Sequence, residues 1–261
     1  DAQHVVWAPP RRVANGIMVN ESLVTTKGEW LFPCAIWRDD CGAFPTERHG
    51  LENEQFSNVY ASADEGRTIK LRGHADVPNR SFDEHMIVEK KDGTLWMLVR
   101  TFDGIGESFS KDGGYTWTPG RKSHIDGPCS RFHIRRLKSG RLLMINHLNF
   151  GERIDLDDIM SQGNVKRWRG RSHLTAMLSE DDGKTWPYTL LLDERNDAAY
   201  PDAKEGEDGY IYAVYDWERV KEREILMAKF TEEDILKGQV ESKEGKLRIL
   251  VNKALGQPNV E

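Results

Sequence analysis

An all-β fold built as a β-propeller is what this sequence predicts, and three observations lead there. The pattern Ser-x-Asp-x-Gly-x-Thr-Trp stands at residues 110–117 ("SKDGGYTW"), returns at 179–186 ("SEDDGKTW"), and appears in degenerate form at 62–69 ("SADEGRTI"). Polar turns carrying Gly28, Gly93, Gly140 and Gly209 each precede an apolar segment, the signature of a hairpin. Within those segments the apolar period is two, as in Leu95, Met97 and Val99 or Ile211, Ala213 and Tyr215, which is strand alternation rather than helical spacing.

Taken in order, the chain writes the same unit four times. "TTKGEWLFPCAIW" turns at Gly28 and leads to the degenerate box, whose last residue is Ile69 instead of Trp. "EKKDGTLWMLVRT" turns at Gly93 and "RLKSGRLLMINHL" at Gly140, each followed by a complete box. "EGEDGYIYAVYDW" turns at Gly209, but "TEEDILKG" follows it, where Thr231 can cap a short helix and Gly238 can end it. Repeated meanders with no helices to cover both faces stack radially, so residues 1–261 are expected to form a single propeller domain of about four blades. In each box the Asp is expected to accept backbone N–H bonds of its own turn, the Gly to take the left-handed dihedral, and the Thr-Trp pair to start the next strand and plug the blade edge. Asp64, Asp112 and Asp181 are therefore read as structural.

Composition narrows the function classes. A net charge of −6 and a pI near 5.8 argue against a nucleic-acid partner, which needs a basic surface; "RRV" and "VKRWRGR" read as scattered surface charge. Three cysteines (Cys34, Cys41, Cys129) and eight dispersed histidines suggest neither a disulfide framework nor a metal site, and no cofactor is expected. No apolar run reaches membrane-span length, and "DAQHVVWAPPRRVANG" lacks the core of a secretory signal.

The repeat also locates a candidate site. Nine residues before the turn glycine lie Glu84, Arg131 and Tyr200, and seven after it lie Arg100, His147 and Asp216. Both offsets mark the open end of a hairpin, so these side chains share one rim. Arg171 begins the strand that runs into the box at Ser179 and falls on the same rim, with Phe102 and Glu54 at the equivalent places elsewhere. Solvated strand ends are often charged, but a set holding several Arg with a Tyr and a Glu points to an anion pocket.

These residues resemble the sialidase (neuraminidase) superfamily, six-bladed propellers with boxes of this type, and in particular its bacterial sialidase-like branch. "DEHMIVEKKDGTLWMLVRT" is similar to the family segment carrying a Glu and an Arg about the turn, matching Glu84 and Arg100. "GRSHLTAMLSEDDGKTW" resembles the strand bearing the last of three substrate-binding arginines, matching Arg171, and "AAYPDAKEGEDGYIYAVYDWER" the segment of the catalytic tyrosine, matching Tyr200. The resemblance implies a retaining exo-glycosidase for a terminal acidic sugar, sialic acid first, in which Tyr200 is the nucleophile, Glu84 accepts its proton, and Arg100 and Arg171 clamp the carboxylate.

The family's opening motifs, with the first arginine and the acid/base aspartate, are not present. "NGIMVNESLVTTKGEWLFPCAIW" looks like the third blade, so the chain is expected to correspond to the last four of six blades, either as a partial fold whose first blades lie upstream, the favoured reading, or as a shortened relative with substitute residues. Arg131 is the candidate for the missing arginine, and Asp39, Asp40, Asp83 or His133 for the missing acid. "RFHIRRLKSGRLLMINH" and "LLLDERNDAAYPDA" are similar to bacterial relatives whose substrates need not be sialic acid. The expected partner is an acidic glycan. Two alternatives stay open: a carbohydrate-binding propeller without turnover, and an enzyme acting on uronic-acid polysaccharide by elimination, with His147 or His133 beside Tyr200. A bacterial protein is expected, secreted or periplasmic if a signal has been removed and cytoplasmic otherwise.

Overall fold

The computed structural model describes residue 7 and residues 9–37, 50–148 and 170–255. Asp39, Asp40 and Cys41 lie outside them. Among the described residues, sixteen strands form four antiparallel four-stranded sheets in sequence order. Blade 1 holds β1 (Leu23–Val24), β2 (Trp30–Ala35), β3 (Ser57–Ser62) and β4 (Lys70–Ala75). Blade 2 holds β5 (Met86–Glu89), β6 (Leu95–Thr101), β7 (Gly104–Ser110) and β8 (Arg121–Lys122). Blade 3 holds β9 (His133–Arg136), β10 (Leu142–His147), β11 (Leu174–Ser179) and β12 (Tyr188–Asp193). Blade 4 holds β13 (Ala198–Glu205), β14 (Ile211–Trp217), β15 (Glu224–Phe230) and β16 (Lys246–Lys253). The inner strands β5, β9 and β13 touch one another in succession, so the sheets are propeller blades set around a common axis.

The four turn glycines sit between the first two strands of each blade with φ of 80°, 82°, 87° and 80°. A Cβ at any of them would meet no atom within 4 Å. The left-handed dihedral, not lack of room, is what asks for glycine there.

The central strands of blades 2 and 3 are apolar on both sides because each contributes to two inter-blade cores. Along β6, Leu95, Met97 and Val99 pack toward blade 1 with Leu31 and Val59, while Trp96 and Leu98 pack toward blade 3 with Ile134 and Met144. Along β10, Leu142 and Met144 face blade 2, and Leu143 and Ile145 join Ala213 and Phe230 of blade 4. Each such fully buried side chain contributes about 1.5–3 kcal/mol.

The boxes form the turns expected of them. Asp112 Oδ1 accepts from the backbone N–H of Tyr115 (3.0 Å) and Thr116 (2.9 Å), and Ser110 Oγ donates to the same oxygen. Asp181 repeats the arrangement with Thr185, and Asp64 does so despite the missing Trp. Hydrogen bonds from Thr68 and Ser62 draw the Asp64 carboxyl down to about 2. One expectation is corrected: the Thr-Trp pairs do not start strands, since β8 begins only at Arg121 and β12 at Tyr188. Trp117 and Trp186 instead pack against the two inter-blade cores that flank blade 2, and Gly183 lies so close to the Trp96 ring that a Cβ would approach it to 2.3 Å. The box of blade 3 thus rests on blade 2.

Where a fourth box would stand, Thr231 caps helix α1 (Glu232–Lys237) in a capping box with Asp234, and Gly238 ends it at φ 72°. The helix lies against β11 and β12 and buries Ile235.

Candidate active site

Two local distortions aim the side chains. Ahead of β5 the chain turns through three consecutive left-handed residues, Phe82 (φ 61°), Asp83 (58°) and Glu84 (21°). In β13 the register with β14 slips between Ala199 and Asp202, and Tyr200 sits inside this bulge with φ 57°. Bulges re-aim side chains in this way, and left-handed non-glycine residues persist only where their surroundings hold them, at roughly 1–3 kcal/mol each.

The two distortions bring Tyr200 and Glu84 together. Tyr200 Oη donates to Glu84 Oε1 at 2.8 Å, and Arg100 Nη1 donates to Glu84 Oε2 at 2.6 Å and to Tyr200 Oη at 3.0 Å. The phenol oxygen is therefore tied to both a carboxylate and a guanidinium. Arg171 Cζ lies 5.5 Å from the centroid of the Tyr200 ring, and its Nη2 donates to the Cys129 carbonyl at 3.1 Å. The Cys129 thiol lies 3.5 Å from Arg100 Nη2 and donates to Ser81 Oγ at 3.3 Å, so one residue supports both arginines.

A second network holds the tyrosine strand. Arg131 donates from Nε to Asn20 Oδ1 (2.6 Å), from Nη1 to the Pro201 carbonyl (2.7 Å) and from Nη2 to Asp202 Oδ2 (2.7 Å). Asn20 Nδ2 donates to the carbonyls of Glu84 and His85. The backbones of Glu84 and Tyr200 are thereby linked through Asn20 and Arg131, across three blades. Burial acts to raise the Asp202 carboxyl, but His133 and Arg131 outweigh it and hold the group well below the usual range.

Electrostatics favour an anion here. Burial, and then the like charge of Arg100, lower Arg171 to about 10, with Arg219 acting in the same direction; it stays charged at neutral pH. Asp216 is raised by burial, against the pull of Arg219. Among the described residues no group of three His, Cys, Asp or Glu is placed to hold a metal ion, and no helix is long and apolar enough to cross a membrane.

The model of the family described as "BNR repeat-like domain" matches residues 2–213. The chain belongs to the BNR repeat-like domain family. No curated protein matches its sequence. Among solved structures, this BNR repeat-like chain is similar to the Hadza microbial sialidase Hz136, with TM-score 0.53 and 20% identity over 74% of this chain and 34% of that one. It is similar to the leech intramolecular trans-sialidase complexed with 2,7-anhydro-Neu5Ac, at TM-score 0.56 and 16% identity over 83% and 31% of the two chains. It also resembles CoXyl43, a GH43 β-xylosidase/α-arabinofuranosidase from a compost microbial metagenome, at TM-score 0.51 and 13% identity over 88% and 76%. At these identities the likeness is one of fold, and the chain spans about a third of the sialidase chains it matches.

The BNR repeat-like chain brings four of the five expected site residues together: Tyr200, Glu84, Arg100 and Arg171. The fifth, Arg131, directs its guanidinium to Asn20, Asp202 and the carbonyls of Tyr200 (3.4 Å) and Pro201. Of the candidate acids, Asp83 is buried against Ser57 Oγ (3.1 Å) and Arg80 (3.5 Å), and His133 is buried with Nδ1 3.2 Å from Asp202 Oδ1. His147 is fully buried, its Nδ1 3.0 Å from the Ser172 carbonyl oxygen, and burial lowers it to about 3. Neither histidine is a partner of Tyr200. Sequence reasoning missed Asn20, Cys129, Asp202 and Arg219. Asp202 follows Tyr200 by only two positions and could have been noticed; the others stand at no repeated offset.

Proposed function

We propose that this BNR repeat-like propeller is an exo-glycoside hydrolase of the sialidase kind, removing a terminal acidic sugar, with Tyr200 as nucleophile and Glu84 as its base. The observation that carries this reading is the 2.8 Å bond from Tyr200 Oη to Glu84 Oε1, with Arg100 bonded to both. A carboxylate nucleophile would be repelled by an acidic sugar at its anomeric centre, whereas a phenol arrives neutral and loses its proton only as it attacks. Tyr200 Oη bonds to the anomeric carbon, its proton passes to Glu84, and the glycosidic C–O bond breaks as the leaving oxygen takes a proton from an acid or solvent. Water then attacks the same carbon and gives up a proton to the acid that had protonated the leaving oxygen, or to solvent, while Tyr200 Oη departs and takes its proton back from Glu84. Arg171 holds the sugar carboxylate, and Arg100 keeps the phenol and Glu84 in register.

A second reading is a carbohydrate-binding propeller that keeps the anion pocket without turnover. It is favoured by the positions of Asp83 and His133, both engaged away from the phenol. The deciding assay is fluorophore release from a methylumbelliferyl sialoside by the wild type and Tyr200→Phe. Release that the substitution abolishes supports hydrolysis. A folded wild type that binds the sugar acid without release supports the binding reading.

A further inference from the structure

We propose that Arg219, steered by Asp216, is a specificity-determining residue that receives the sugar carboxylate over the face of Tyr200. The inference rests on the reading of Tyr200 and Glu84 as the reacting pair. Arg219 stands in the loop between β14 and β15, anchored by the Glu218 N–H on the Asp197 carbonyl (3.3 Å) and the Arg223 N–H on the Glu218 carbonyl (2.8 Å). Its Cζ lies 4.2 Å from the Tyr200 ring centroid, nearer than that of Arg171.

Access separates the arginines. Arg100 is 0% exposed and Arg171 6%, whereas the Arg219 side chain is 50% exposed. An incoming acid therefore meets Arg219 first. Its pairing leaves it able to bind: Nε donates to Asp216 Oδ2 at 2.7 Å and Nη2 donates to the same oxygen. One edge of the guanidinium is thus fixed by a single oxygen, and the rest of the group faces Tyr200, with which it also interacts. Asp216, only 16% exposed, works as the fixed post that holds the planar group over the ring. Arg131, the arginine expected from the repeat to complete the clamp, has its fork filled by Asn20, Pro201 and Asp202. The mutual repulsion of Arg171 and Arg219 is relieved by an anion between them, which places the carboxylate of the bound sugar beside the phenol that attacks it.

The test is calorimetric titration of the full chain with N-acetylneuraminic acid and with its methyl ester, for wild type, Arg219→Ala, Arg219→Lys and Arg171→Ala. Wild type is expected to prefer the acid at least tenfold. Arg219→Ala should weaken acid binding about 10–100-fold and leave the ester unchanged, as loss of a charge-assisted hydrogen bond requires. Arg219→Lys should keep part of the preference, because charge survives while the planar fork is lost. On the sialoside, Arg219→Ala should raise KM far more than it lowers kcat. Undiminished acid binding in Arg219→Ala, with the preference lost only in Arg171→Ala, overturns the role of Arg219 and spares the site. A wild type that does not distinguish acid from ester overturns both.

Discussion

Replacing Arg131 with Met tests whether that residue holds the tyrosine strand or touches the sugar. The substitution keeps most of the side-chain volume and removes the donors to Asn20, Pro201 and Asp202. Asn20 is buried, and losing the bonds to it and to the Pro201 carbonyl should cost about 1 kcal/mol each. Breaking a buried ion pair is worth about 3–5 kcal/mol, but Asp202 is 34% exposed, so solvent recovers a good part of that. The total should be about 3 kcal/mol, a fall in Tm of about 6–12 °C.

The pH dependence carries a sign. Asp202 is held below its usual range in the folded protein, so its stabilisation is present above the ordinary carboxylate pKa and is lost as pH falls toward the folded value. Acid melting between about pH 4 and 2 should therefore be shallower in Arg131→Met than in wild type. Under the positioning role, kcat on the sialoside falls while KM stays within about threefold, because the bulge that aims Tyr200 has lost its support. An unchanged Tm together with a rise in KM alone would refute this reasoning and make Arg131 a substrate ligand.

Four further outcomes are expected. Glu84→Gln should lower kcat about 10²–10⁴-fold, since the amide keeps the volume but cannot take the phenol proton, and should also lower Tm, because it leaves Arg100 buried without the carboxylate it pairs with at 2.6 Å; steady-state kinetics and melting curves check both. Gly183→Ala should destabilise by about 2–4 kcal/mol, because its Cβ would sit 2.3 Å from the Trp96 ring at φ 84°. Gly140→Ala, at φ 87° with open space around it, should lose only about 1–2 kcal/mol in the same thermal melts. Asp181→Ala should lower Tm and leave the kinetics of Tyr200 unaltered, because its hydrogen bonds close only its own turn.

The blade architecture was legible because a propeller repeats its turn chemistry. Gly28, Gly93, Gly140 and Gly209 each need a left-handed dihedral that few other residues adopt, and Leu95 to Val99 alternate between two cores because β6 is buried on both faces between its neighbouring blades. The same repeat placed Glu84, Arg100 and Tyr200 on one rim. It could not show that Glu84 and Tyr200 are left-handed, because neither is a Gly, Asn or Asp, and their φ values are held by tertiary contacts. Nor could it show which arginine faces inward. Arg131 and Tyr200 share an offset, yet the bulge after Ala199 turns Tyr200 toward Glu84 while Asp202 and Asn20 draw Arg131 to the supporting network. Arg219 lies on a loop outside every repeat, so only the folded chain reveals its contact with Tyr200.

The most direct measurement of the central claim is peptide mass spectrometry of the protein quenched in acid during turnover of the sialoside. A glycosyl adduct on the peptide containing Tyr200, absent in Tyr200→Phe, is the expected result. Turnover without any adduct on Tyr200, or one that persists undiminished in Tyr200→Phe, would contradict it.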